Sequence, residues 1–471
     1  MKIGIDARMY GPKQGGLGRY VEQLILHLEV ADPSFHGDDS GGDSPSASPP
    51  CLSGRQAHRR GDNRPDADTN EYVIFLRRDN WDEFTPTNPR FKKVLADVPW
   101  YGWREQIILP IIFGRAKVDL MHFPHWNVPI LYGGKFIVTI HDLLLLEYPS
   151  KKASMLGPMG YWFKSLAYKI VLKNAVGRAE KIITVSEFSK RDIVKKLGVK
   201  EEKVAVTYLA PSVILNLPAG RQAKRSAVPA RLWREGSPEM AGDSCAFATG
   251  FGHTQSASPQ NDIWGISRPF ILYVGVAYPH KNLERLLRAW KKFCNTYGDE
   301  WQLVLAGRKD YFYDKIQDTW KKIQTLTPIQ GIAVPAFAGI NYADANRLPR
   351  NDSVVFTGFV SDDELDNLYK NASLLVMPSL YEGFGLPPLE AMRQGVPVAS
   401  SNRSSLPEIL RNAAIYFDPE NETDMVTAIH TALTDDHTRK KLIEAGQKLY
   451  PTYSWETTAR QTAKIYQSVD K

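Results

Sequence analysis

Two carboxylates, eight positions apart, flank a glycine turn in the run Ser379-Leu-Tyr-Glu382-Gly383-Phe384-Gly385-Leu386-Pro-Pro-Leu-Glu390. The segment Leu374-Leu-Val-Met377 before them has the length and apolarity of a short buried strand. Pro387 opens a helical pattern that runs to Gln394 and stops at Gly395. A strand, a glycine turn and a helix start together present free backbone N–H groups and a positive dipole end to an anion. A carboxylate on each side can then grip hydroxyl groups. Amides for phosphate and carboxylates for hydroxyls suit a nucleotide sugar.

Other segments offer matching chemistry. Gly15-Gly16-Leu-Gly18 follows the first strand pattern and opens the first helix, where glycines allow close backbone approach to a ligand. A dinucleotide fingerprint competes for this loop, but it requires Gly-x-Gly-x-x-Gly and a shorter lead-in than Met9 to Gln14. His141-Asp142 closes another strand pattern; from there His141 can hydrogen-bond a sugar or an attacking acceptor, or satisfy loop backbone. Lys281 stands at a helix start, either solvated or placed to neutralise leaving-group charge, a role that a metal plays elsewhere. Ser186 and Ser189 read most simply as a helix cap.

These residues need elements to hold them. Short apolar, β-branched runs alternate with amphipathic stretches, the pattern of α/β domains with parallel sheets. Strand patterns cover 2–5, 72–76, 118–123, 136–140, 181–185 and 204–208, with helical patterns such as 18–28 and 188–197 between them. The cycle restarts at 270–274, 302–306, 354–357, 374–377 and 396–400. Two cycles in series predict two Rossmann-like domains with the carboxyl ends of their strands facing one cleft. Ser361-Asp-Asp-Glu364 is a capping box, and Ser454 can cap a last helix over 455–469.

The expected organisation is a first domain over 1–210, an insertion or linker over 211–267, a second domain over 268–450 and a last segment over 451–471. Within the domains, 36–70 and 325–351 break the cycle. The first, like 211–267, is rich in small and polar residues and too poor in apolar ones to offset ordering entropy, so both read as disordered surface insertions.

At 471 residues the chain can build two or three cores. A net charge of +7 favours anionic partners, yet no RRM, zinc-finger or basic-zipper pattern supports nucleic acid. Cys51, Cys245 and Cys294 show no CxxC spacing, which points to a reducing compartment without structural zinc. No signal-peptide pattern opens the chain, and no apolar run reaches the ~18 residues of a spanning helix. The expectation is a cytoplasmic protein with at most peripheral contact at the inner face of the plasma membrane. Residues 151–181 carry seven lysines and arginines among aromatic residues, a basic amphipathic stretch that is either a solvated helix face or a membrane-facing surface.

The Glu382–Glu390 segment resembles the Glu-x7-Glu signature of retaining glycosyltransferases of family 4, and the likeness extends over nearly all the chain outside the three interruptions. It implies the GT-B fold, two facing Rossmann-like domains with a final helix crossing back onto the first. It also implies a nucleoside-diphosphate sugar donor, mannose from GDP-mannose being the first guess, and no cofactor or catalytic metal. The acceptor would be a glycan or lipid-linked molecule in cell-surface polysaccharide or glycolipid synthesis.

By the same resemblance, Glu390 would hold the ribose hydroxyls and Glu382 the transferred sugar, with the amides of Gly383 to Leu386 on sugar hydroxyls and the β-phosphate. The Gly16 loop would line the cleft near the β-phosphate or the acceptor. The loop after Gly275 would carry Lys281 to the diphosphate, and the backbone at Val360 would read the base. Val276 stands where the family often has arginine, so a second cation must come from His280 or Arg308 or be missing. Two alternatives remain at this stage. A catalytically inactive nucleotide-sugar-binding protein would keep the fold but erode the cleft residues. An NAD-dependent oxidoreductase would need a fingerprint that neither half contains.

Overall fold

Apolar runs such as Ile3, Gly4 and Ile5, or Leu374, Leu375 and Val376, have side chains for both faces of a sheet, so their strands are buried on both sides. The computed structural model describes residues 1–30, 70–148, 158–211, 264–325 and 352–469. In the first domain the order is β1 (Lys2–Asp6), α1 (Gly15–Val30), β2 (Glu71–Leu76), β3 (Phe91–Leu95), α2 (Trp103–Ala116), β4 (Leu120–Phe123), β5 (Phe136–Thr139), α3 (Leu144–Glu147), α4 (Pro158–Arg178), β6 (Lys181–Thr184), α5 (Glu187–Leu197) and β7 (Val204–Val206).

The second domain runs β8 (Phe270–Val274), α6 (Leu283–Tyr297), β9 (Gln302–Ala306), α7 (Tyr311–Thr325), β10 (Val354–Gly358), α8 (Asp362–Asn371), β11 (Leu374–Met377), α9 (Leu386–Arg393), β12 (Val398–Ser401), α10 (Leu406–Leu410) and β13 (Ile415–Phe417). Three helices follow, α11 (Glu422–Thr434), α12 (Asp436–Leu449) and α13 (Trp455–Val469).

Both sheets are parallel throughout and share one winding. The first has the order β3-β2-β1-β4-β5-β6-β7 and the second β10-β9-β8-β11-β12-β13. In each, the order reverses between the first strand and its neighbour, β1 against β4 and β8 against β11. That reversal leaves a crevice at the strands' carboxyl ends, where loops leave in opposite directions.

Two strands were not legible in the periodicity, β3 and β13. Both are edge strands: β3 carries Lys92 and Lys93 in its middle, and β13 is only three residues long. An edge strand needs no continuous apolar run, so its signal is weak. The capping box at Ser361 forms as its sequence indicates, with Glu364 N–H donating to the Ser361 hydroxyl and the Glu364 carboxylate accepting from Ser361 N–H.

The last helix ties the two halves together. Tyr466 on α13 shares a hydrogen bond of 2.8 Å with His122 Nδ1 on β4, and the Thr458 hydroxyl donates to Tyr208 carbonyl at 2.6 Å. Trp455 packs against Tyr20 and His27 of α1. Residues 36–69 of the expected insertion, most of 211–267, nearly all of 325–351, and Cys51 and Cys245 lie outside the described residues, while Asn70, the last residue of that insertion, is buried. Ile266, inside the range expected as a linker, is buried in the core. No helix among the described residues is long and apolar enough to cross a membrane.

Candidate active site

The loop after β11 is held open by its own chemistry. Gly385 adopts φ 97°, a conformation that favours glycine, and α9 then begins Leu386-Pro387-Pro388. The two prolines lack N–H groups, so the donors left at this helix start are those of the glycine turn. The amides of Gly383, Phe384, Gly385 and Leu386 find no acceptor among the described residues. Ser405 fixes the turn from behind by donating to the carbonyls of Glu382, at 2.9 Å, and Phe384, at 3.2 Å. Glu382 N–H donates to the Ser404 hydroxyl at 2.9 Å.

Across the switch point, the loop after β8 delivers Lys281. A turn over Pro279–Lys281 ends at Asn282 in the left-handed region, φ 61°, and α6 starts at the next residue. The buried Asn282 amide donates to Pro378 carbonyl at 3.1 Å and Pro419 carbonyl at 2.7 Å, stapling the loops that follow β8, β11 and β13. Lys281 Nζ consequently lies 2.6 Å from Glu382 Oε1, and the Ser379 hydroxyl donates to the same oxygen at 2.7 Å. Both charged groups are largely buried.

Glu390 stands on α9, one side of the same crevice. Its Oε2 accepts from Tyr369 hydroxyl at 2.8 Å, and Arg19 of the first domain comes within 4.0 Å of its Oε1. Arg19 also pairs with Asp362 at the start of α8. Neither Tyr369 nor Arg19 was singled out from the sequence, because their relation to Glu390 is made only by packing α8 and α1 against α9.

The first domain supplies the opposite wall. His141 follows β5; its ring meets Tyr20 edge-on, centroids 4.7 Å apart, and Nε2 is 3.2 Å from Pro124 carbonyl. Since a carbonyl only accepts, Nε2 carries the proton and Nδ1 keeps a lone pair. Burial pushes the His141 imidazole down to about 4, so the ring is neutral near pH 7. Gly383 abuts this loop so closely that a Cβ there would lie 2.6 Å from His141 carbonyl oxygen and 3.1 Å from Asp142 Cβ. Burial also raises the Asp142 carboxyl, which faces Lys281 and Glu382 across the gap.

Ser186 does more than cap. Its hydroxyl accepts from Ser189 N–H, as a helix cap should, and donates to Gly383 carbonyl across the domain boundary at 2.7 Å. The cap reading was therefore half of what this serine does.

At the reversal of the first sheet lies a small crevice lined among others by Arg8, Leu17, Trp100, His125 and Asn127. Arg8 is 2% exposed and bridges Asp6, at 2.8 Å, and Glu105, at 2.6 Å. The indole N–H of Trp100 and Nδ1 of His125 are buried without partners among the described residues. Such unpaired polar atoms beside a crevice are what a polyhydroxy ligand would satisfy.

The remaining expected residues fall around these two halves. Gly16 has open space beside it on the first turn of α1, whereas a Cβ at Gly18 would lie 2.0 Å from Gly11 carbonyl oxygen. Gly275 leads the loop after β8, and Gly307 is packed so that a Cβ would meet Gly275 carbonyl at 2.0 Å. Arg308 therefore leaves β9 next to the Gly275 loop with its side chain exposed. Val360 is half-buried ahead of α8. His280 is 6% exposed, and burial pushes it down to about 4. Among the described residues no group of three or more His, Cys, Asp or Glu side chains could hold a metal ion.

Two like-wound parallel sheets and a final helix returning to the first domain define the GT-B fold. The chain belongs to glycosyltransferase family 4: residues 342–449 match the family model for glycosyl transferases group 1, and residues 59–210 match that of Glycosyltransferase Family 4. The O-antigen chain mannosyltransferase B of Escherichia coli is 27% identical over 351 residues, 74% of this chain and 74% of that protein. The O-antigen chain mannosyltransferase RfbU of Salmonella typhimurium is 24% identical over 335 residues, 71% of this chain and 70% of its own. Sucrose-phosphate synthase from Thermosynechococcus elongatus shares the fold with a TM-score of 0.61 and 18% identity, covering 100% of this chain and 99% of its own.

Proposed function

We propose that the enzyme transfers a sugar from a nucleoside-diphosphate sugar to a glycan or lipid-linked acceptor in cell-surface polysaccharide or glycolipid synthesis. Mannose from GDP-mannose is the first candidate donor, on the strength of the mannosyltransferase names of its relatives. The reaction retains anomeric configuration and uses no cofactor or catalytic metal. The enzyme works as a cytoplasmic protein peripheral to the inner face of the plasma membrane.

The observation that carries the donor reading is the Lys281–Glu382 pair at 2.6 Å, set beside four amides with no acceptor among the described residues. When the glycosidic bond to phosphate breaks, negative charge develops on the leaving diphosphate. Lys281 and the amides of Gly383 to Leu386 are fixed beforehand to receive it, which lowers the barrier without reorganisation. Glu382 holds hydroxyls of the transferred sugar and Glu390 holds the ribose. The acceptor attacks from the first domain's side, with neutral His141 accepting a hydroxyl hydrogen bond through Nδ1. Arg308, an exposed side chain beside the Gly275 loop, and His280, beside Lys281, are the candidates for a second cation on the diphosphate.

A thermal-shift and hydrolysis screen with GDP-mannose, UDP-glucose, dTDP-glucose and ADP-glucose tests this. One donor should stabilise the wild type and be turned over, and Glu382→Ala or Glu390→Ala should abolish one or both responses. If no nucleotide sugar stabilises the wild type, or both variants behave normally, the reading fails.

A further inference from the structure

His122 is fully buried on β4 and takes no part in the chemistry described above. Burial pushes its imidazole down to about 3, so the ring is neutral, with one nitrogen donating and the other accepting. Both nitrogens are engaged. Nδ1 shares a hydrogen bond with the Tyr466 hydroxyl of α13 at 2.8 Å, and Nε2 shares one with the Thr139 hydroxyl of β5, also at 2.8 Å. Thr139 in turn shares a hydrogen bond of 3.1 Å with the Tyr20 hydroxyl of α1. Side chains from α13, β4, β5 and α1 thus form one continuous network.

Its surroundings are apolar. Tyr20 and Tyr466 belong to the same buried cluster as Ile5, Leu24 and Ile137, and His122 and Thr139 are likewise closed to solvent. Buried polar groups are costly unless paired, and apolar side chains of similar volume would fill this space without that demand. What hydrogen bonds add over apolar contacts is direction, because each fixes the rotation of the side chains it joins.

The network ends on the active-site wall. The Tyr20 ring, anchored at its hydroxyl by Thr139, meets the His141 ring edge-on, with 85° between the planes. Among the described residues the His141 ring has one hydrogen bond of its own, from Nε2 to Pro124 carbonyl at 3.2 Å, the long end of the normal range. The terminal torsion of a histidine is broad, so one long bond does not set the ring plane. The Tyr20 ring does.

The other end of the network belongs to the helix that returns from the second domain. Trp455, the first residue of α13, has its ring 6.2 Å from that of Tyr20. Tyr466, about three turns further on, reaches Tyr20 through His122 and Thr139. Seating of this helix and orientation of Tyr20 are therefore one arrangement.

We propose that Tyr466, His122, Thr139 and Tyr20 position the His141 imidazole, so that the last helix must be seated on the first domain for this wall of the site to form. The positioning stands on these contacts alone, whereas its effect on rate rests on the acceptor role given to His141 above.

The test is nuclear magnetic resonance of the full chain with isotope-labelled histidine nitrogens, His141 being the signals that His141→Gln removes. The wild type should show the Nε2–H tautomer alone. Tyr466→Phe and Tyr20→Phe each remove one hydroxyl and keep the ring, and in both the single-tautomer pattern should be lost. Thr458→Val is the comparison: it removes the hydroxyl that donates to Tyr208 carbonyl, loosening the same helix without touching the network. It should lower Tm about as much as Tyr466→Phe does and leave the His141 signals in place. An unchanged His141 pattern in both tyrosine variants, or an equal loss in Thr458→Val, would overturn the positioning. In acceptor transfer, both tyrosine variants should lose about tenfold in kcat with the donor KM unchanged. If the His141 pattern is lost while kcat holds, the positioning stands and the acceptor role of His141 falls.

Discussion

The Glu408 carboxylate of the second domain accepts N–H hydrogen bonds from Glu187, at 2.7 Å, and Phe188, at 2.8 Å, in the first turn of α5 in the first domain. A carboxylate at a helix N-terminus satisfies orphan donors and meets the positive end of the dipole. Here the cap comes from the other domain, so capping the helix and closing the domains are the same event. Glu408→Ala should cost about 1–2 kcal/mol in stability and loosen the domains. Thermal unfolding and small-angle scattering check this: a lower Tm with a larger radius of gyration is expected, and an unchanged radius would show that other contacts hold the domains.

Gly383 sets how near the two walls can come. With a Cβ 2.6 Å from His141 carbonyl, Gly383→Ala forces backbone against backbone at the domain boundary. The domains must part by part of an ångström, and catalytic geometry tolerates little of that. A fall in kcat of at least about tenfold, with Tm nearly unchanged, is the expected outcome. Steady-state kinetics with the identified donor provide the measurement.

The two glutamates should separate in kinetics. Glu382 shares its oxygen with Lys281 and Ser379 beside the amides, so Glu382→Gln should lower kcat by on the order of a hundredfold. Glu390 is oriented by Tyr369, and removing that hydroxyl in Tyr369→Phe should raise the donor KM by about 3- to 10-fold with kcat preserved. If Tyr369→Phe changes kcat and leaves KM alone, Glu390 is acting on the chemistry and not on the ribose.

Acid should destabilise the fold early. Burial holds His122 and His125 down to about 3, and His141 and His280 down to about 4. Unfolded, each returns to ~6.5. The native state therefore binds fewer protons between those values, and stability falls as pH drops from ~6.5 toward 4, by up to about 1.4 kcal/mol per pH unit for each histidine. The raised Asp142 carboxyl works in the opposite sense, one group against four. Tm measured from pH 7.5 to 5 should decline steadily below ~6.5. Because His141 stays neutral over this range, an activity limb near pH 6.5 that His141→Gln removes would contradict its assigned state.

What the chain alone determined is local. The strand at 374–377, the glycine turn and the proline-led helix follow from apolar runs and backbone chemistry within a dozen residues. The Ser361 capping box and the last helix from Trp455 to Val469 were legible in the same way. The resemblance carried by Glu382, Glu390, Lys281 and His141 was enough to name the family. Edge strands β3 and β13 escaped because half-exposed strands carry no continuous apolar signal.

Tertiary structure alone decided the partners. Lys281 and Glu382 are 101 positions apart and meet because β8 and β11 are neighbours at the switch point. Arg19 reaches Glu390, Ser186 reaches Gly383 and Glu408 caps α5 because two domains face each other. No spacing in the chain encodes those meetings. The protonation of His141 and His280 was likewise decided by burial, which depends on what the rest of the chain packs around an imidazole.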